Sequence, residues 1–122
     1  MSRVERIWLP GRMPGLNDLM FKGIGARIRF QKAPKRAVLL LVQAQGIKPF
    51  NGPVALSFEW VEPNKRRDPD GICSGGSKTL IDALKTCGVI ANDGWKHIAG
   101  IAHSWRCDPQ NPGVLVTIKE VA

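Results

Sequence analysis

The stretch Asn64-Lys65-Arg66-Arg67-Asp68-Pro69-Asp70 puts three cations and two carboxylates within seven residues. In an extended chain, residues i and i+2 point the same way. Pro69 fixes its own φ and pushes Asp68 toward the β or polyproline region. The spacing therefore predicts two carboxylates on one face, close enough to repel each other. A hard divalent cation relieves that repulsion, and oxygen-only ligands suit Mg2+, with Mn2+ as a substitute. Beside Lys65, Arg66 and Arg67, such a cation would polarise a phosphodiester and stabilise the charge that develops on it. Asp68-Pro69-Asp70-Gly71 is also ordinary turn chemistry, and that plainer reading stays open.

Three more charged residues bear on the choice. Asp93 lies in Asn92-Asp93-Gly94, a turn entering a predicted strand, from which it could reach the ends of neighbouring strands. Lys78 and Asp82 are one helical turn apart on one face. On their own they make a surface ion pair worth ~0.3–0.5 kcal/mol. Trp95, just after the turn, is the tryptophan expected to be exposed. Trp8, Trp60 and Trp105 fall in predicted strands and are expected in the core.

Charge over the whole chain favours a polyanion as partner. The 122 residues carry a net charge of +8. Residues 1–36 contribute +7, residues 37–67 contribute +2 and residues 68–122 contribute −1. Four of the six aspartates fall between 68 and 93. The pattern is a basic platform beside a small acidic centre, as nucleic-acid chemistry requires.

Composition is that of a folded protein, with 43% hydrophobic and 23% charged residues. The longest apolar run, Ala37 to Val42, is far short of the ~20 residues of a membrane helix. The first eight residues lack the apolar segment of a secretory signal. With three cysteines that form no close pair, the expected compartment is a reducing cytoplasm.

The elements that must position these groups read as one domain over 1–122. Residues 4–9 form a strand, and the Pro- and Gly-rich residues 10–25 a loop. A well-buried helix runs over 35–45, with Pro34 in its first turn and Gly46 as its stop. Residues 54–61 form a strand with both faces largely covered. A second helix of about three turns starts at Ser77 as N-cap and ends at Gly88. Strands follow over 96–105 and 114–121, joined as a hairpin by the turn residues 108–113. The order β-α-β-α-β-β predicts a mixed sheet with two helices packed on it, an α+β fold.

Arg-Arg-Asp-Pro-Asp, then Lys78-x-x-x-Asp82-Ala83-Leu84, Gly88 and the acidic turn at Asp93 resemble the RusA-type Holliday junction resolvases. The resemblance runs over most of the chain and includes Leu9, Pro10, Pro14 and Asn17 of the N-terminal loop. It implies a Mg2+-dependent endodeoxyribonuclease, active as a homodimer that places paired nicks in four-way DNA junctions during recombination and repair. By position, Asp68, Asp70 and Asp93 would hold the metal, Lys78 would assist, and Asp82 would orient Lys78 or complete the acidic cluster. Arg12, Asn17, Lys65, Arg66, Arg67 and Trp95 are the residues expected on DNA. No membrane and no small-molecule cofactor are implied, and the family's frequent carriage by phages extends the expectation to a prophage-encoded protein. The chain departs from the pattern at Gly71, where Asn is usual, and in a longer glycine-rich stretch before Lys78. Asn92 also stands where a second acid is common.

Other chemistries fit less well. Around Gly76-Ser77-Lys78 the P-loop spacing fails, because Ser77 separates glycine from lysine. The three cysteines, His97 and His103 lack zinc-ligand spacing. The reading from a different class is a non-catalytic basic nucleic-acid-binding module whose aspartates are turn residues.

Overall fold

The computed structural model describes residues 2–15, 20 and 22–121. Strand alternation sets its core. In β1 (Val4–Pro10), Ile7 and Leu9 point inward while Arg6 and Trp8 point out. The helix α1 (Gly23–Gln45) follows, then β2 (Val54–Glu62), whose Val54, Leu56, Phe58 and Trp60 are buried on one face. After α2 (Pro69–Thr86) come β3 (Ile98–Cys107) and β4 (Gly113–Glu120). The element order is the one predicted, and the fold is a single small α+β domain.

The sheet order is β1-β4-β2-β3, with β2 parallel to β3 and antiparallel to β4. The expected hairpin between the last two strands does not form. The turn chemistry is present, since Asp108 Oδ1 accepts from the backbone N–H of Gln110 and Asn111. The chain nevertheless crosses the end of β2, where the Asp108 N–H donates to the Glu62 carbonyl. It then inserts β4 between β1 and β2. That central position buries Val114, Val116 and Ile118 completely, which a β4 paired with edge strand β3 would not achieve.

Both helices start earlier than predicted. α1 takes in residues read as loop, and Pro34 sits inside it. Proline removes one helical hydrogen bond, but Ala26 and Gln31 before it and Val38 and Val42 after it are all buried, so packing holds both halves. The helix ends as expected at Gly46, whose φ of 65° is the left-handed cap that glycine adopts freely. α1 is not buried all round: Leu39 and Leu40 remain exposed, because the sheet and α2 cover one side only.

α2 begins at Pro69 rather than after Ser77. Asp68 is its N-cap residue, with an extended ψ of 144°, and Pro69 takes the first helical position. The glycine-rich stretch is therefore helical. Gly76 is where the helix crosses the Trp60 ring, and a Cβ there would lie 2.5 Å from two ring carbons. Among the described residues, no helix is long and apolar enough to cross a membrane.

Candidate functional site

The N-terminus of α2 gathers the central motif. Asp68 and Asp70 are both exposed. Because Asp70 lies within the first helical turn, the pair is not the extended i, i+2 arrangement predicted for it. Asp70 Oδ1 accepts from the Gly71 N–H at 2.9 Å, and its backbone carbonyl accepts from the Ser74 hydroxyl. A helix N-terminus favours negative charge. Among the described residues neither carboxylate forms an ion pair.

The three preceding cations divide. Arg67 turns inward and makes a bidentate pair with Glu62, with Nε and Nη2 each 2.8 Å from a carboxylate oxygen. Its Nη1 donates to the Met13 carbonyl. Lys65 and Arg66 stay exposed, and the Arg66 backbone N–H is held by the Asn64 side chain. Next to them a cavity of about 330 Å3 is lined by Lys65, Asp68, Pro69, Ile72, Trp105 and Arg106, among others.

Trp105 and Arg106 were not legible as neighbours of this site. Its strand position predicts a core tryptophan, yet Trp105 is 42% exposed. It pairs in register with the buried Trp60, but β3 is the sheet edge and among the described residues no element pairs with its outer side. Trp8 is likewise half-exposed, because it points to the open face of β1, whereas Trp60 is core as expected. The signal for Trp105 would have been the β2–β3 register, which depends on long-range pairing.

At the far end of α2 the picture differs. Asp93 pairs with Lys85 at 3.9 Å, and Lys78 pairs with Asp82 at 3.8 Å along the helix. Trp95 is fully exposed and shares a shallow cavity with Asp93 and Ile101. Asp70 and Lys85 are separated by ~22 Å of helix rise. One copy of the chain therefore does not bring Asp93 to Asp68 and Asp70. Among the described residues no group of three His, Cys, Asp or Glu side chains is placed to hold a metal ion. The carboxylate chemistry suits a hard cation, but the three-aspartate arrangement does not fit one within a single chain.

Of the remaining predicted contacts, Arg12 is exposed beside the middle of α1. Asn17 lies outside the described residues. A ladder of rings runs inward from the site: Trp105 stacks on His103, which stacks on Phe58 and Trp60. The Trp60 indole N–H donates to His103 Nδ1 at 2.9 Å, and burial holds this imidazole below its ordinary pKa. The three cysteines are free thiols.

A scan of the chain against protein-family models finds no match, and a search of curated proteins finds none.

Proposed function

We propose that this chain is a Mg2+-dependent, structure-selective endodeoxyribonuclease that resolves four-way DNA junctions as a homodimer. The observation that carries the reading is the state of Asp68 and Asp70. They are exposed and without ion pairs among the described residues, beside Lys65 and Arg66, in a chain of net charge +8. The helix N-terminus accounts for their negative charge, but their exposure beside Lys65 and Arg66 also leaves their outer oxygens open to a cation. The resemblance of the surrounding motif to RusA-type resolvases points the same way.

The length of α2 supports a site shared between two copies. If three aspartates serve one cation, Asp68 and Asp70 come from one copy and Asp93 from a second. Between those two ends, edge strand β3 leaves Ile101 and Trp105 half-exposed, an apolar stripe suited to a partner. Two-fold pairing also matches the symmetry of a junction cut in opposed strands. When bound, a hard divalent cation supplies Lewis-acid stabilisation of the charge developing on a scissile phosphodiester. The chain's own residues bind and orient. Lys65 and Arg66 take backbone phosphates without reading sequence. Lys78, steadied by Asp82, meets a phosphate oxygen along α2.

The test is a nicking assay on a synthetic four-way junction and a matched linear duplex, with Mg2+ or EDTA. Paired nicks in the junction alone, abolished by EDTA and by Asp70→Asn with junction binding retained, are the expected result. A second reading, a non-catalytic nucleic-acid-binding module, is favoured by the distance between Asp93 and the other two aspartates within one chain. It predicts junction binding with no metal-dependent nicking.

A further inference from the structure

A second feature of the basic N-terminal third adjoins the aspartate site through Met13, whose carbonyl accepts from Arg67. Between the loop after β1 and the middle of α1 is a cleft of about 460 Å3. Its walls are apolar, with Met13, Pro14, Phe30 and Pro34 among them, and its two charged lining residues are Arg12 and Arg29. No acid lines it. Phe30 is 37% exposed, although a ring of that size is normally covered in a core. The Lys22 ammonium stands 5.5 Å from the centre of the same ring. Among the described residues, neither Arg12 nor Arg29 forms an ion pair or a side-chain hydrogen bond.

We infer that this cleft is a subsite for a single unpaired nucleotide. Its base stacks on Phe30 between the apolar walls, and its phosphate is held by Arg12 and Arg29. Three properties select that ligand class. The volume falls within the range of small-ligand clefts. An exposed aromatic ring among cations is how single strands are bound without sequence preference. Two guanidinium groups, with no carboxylate between them among the described residues, match a phosphate, which each can bind through paired N–H donors. A base-paired duplex would present its phosphates to the arginines but no base face to the ring. An acidic peptide would satisfy the arginines and leave Phe30 without a role.

The inference rests on the nucleic-acid-binding part of the proposed function and not on cleavage. Its role there is to capture a nucleotide unstacked where strands exchange. The experiment is therefore run in EDTA, where no metal-dependent nicking occurs. Anisotropy titrations compare a short oligothymidylate with a linear duplex for the wild type, Phe30→Leu, Phe30→Tyr, Arg12→Ala and Arg29→Ala, each checked for folding by thermal melting. Phe30→Leu is expected to weaken the oligothymidylate about tenfold, with the duplex changed less than about twofold and Phe30→Tyr close to wild type. Each arginine variant should lower the log–log salt slope for the single strand by ~0.7. Equal losses for duplex and single strand would overturn the inference, as would a folded Phe30→Leu that binds oligothymidylate like wild type. Polyglutamate binding as tightly as oligothymidylate would also overturn it in favour of an acidic protein partner. Loss of single-strand binding in a protein that never nicks would support the cleft while the nuclease reading failed. An active nuclease indifferent to Phe30→Leu would do the reverse.

Discussion

Arg67 and Glu62 face each other through two parallel hydrogen bonds of 2.8 Å, and a third from Arg67 reaches the Met13 carbonyl. The last of three consecutive cations thus ties the end of β2 to the loop after β1. It sets the entry to α2, and with it the direction in which Asp68 and Asp70 leave the sheet.

Removing Arg67 leaves a buried carboxylate without its partner. Breaking such a pair costs ~3 kcal/mol or somewhat more. Arg67→Ala should lower the unfolding free energy by about that amount in urea. Arg66→Ala should leave stability within ~0.5 kcal/mol while weakening junction binding. Equal stability losses in the two variants would contradict this division of labour.

The helical crossing at Gly76 gives a second test. Alanine is the better helix former by ~1 kcal/mol, yet its Cβ would enter the Trp60 ring. That ring is held by Phe58 and His103 and has nowhere to move. Gly76→Ala should therefore destabilise by ~1–3 kcal/mol. Gly71→Ala, in the same helix with open space around its Cβ, should stabilise by up to ~1 kcal/mol. Paired thermal melts read the opposite signs.

His103 makes stability depend on pH. Its imidazole accepts the Trp60 N–H and is partly desolvated, so folding favours the neutral form. The unfolded imidazole takes up a proton below about 6.5, whereas the folded one does so only at lower pH. The unfolded state thus binds more protons in that window, and stability falls as pH drops through it. Above about pH 6.5 this contribution is complete. His103→Gln retains an acceptor for Trp60 without titrating, and should flatten the slope below about pH 6.5. An unchanged slope in the variant would place the titration elsewhere.

Salt should weaken DNA binding steeply. If ~6 phosphates are neutralised per bound unit, affinity falls ~10³-fold between 50 and 200 mM salt. A flat response would remove the electrostatic part of the account.

The strands and their order were legible because Pro10-Gly11, Gly52-Pro53 and residues 108–113 punctuate clean alternations. Neighbour order was not, because inserting β4 beside β2 depends on burial across the whole sheet and not on the local turn at Asp108. The start of α2 is not legible for a related reason. Gly71, Gly75 and Gly76 lower helix propensity, but Trp60 needs a residue without a side chain at position 76, and tertiary packing overrides the local preference. The early start of α2 bears on the site. With a three-turn helix from Ser77, Asp68, Asp70 and Asp93 could be imagined in one cluster. With the helix running from Pro69 to Thr86, Asp93 lies beyond its far end.

The most direct test of the central claim mixes two inactive variants. Asp70→Asn and Asp93→Asn, each unable to nick a four-way junction alone, are combined so that mixed dimers form. If the aspartates of two copies build each centre, one centre of the mixed dimer is intact, and Mg2+-dependent nicking of one strand returns. If the wild type nicks junctions but the mixture, shown to exchange subunits, stays inactive, the shared centre is contradicted. A wild type that binds the junction and never nicks it would contradict the nuclease itself.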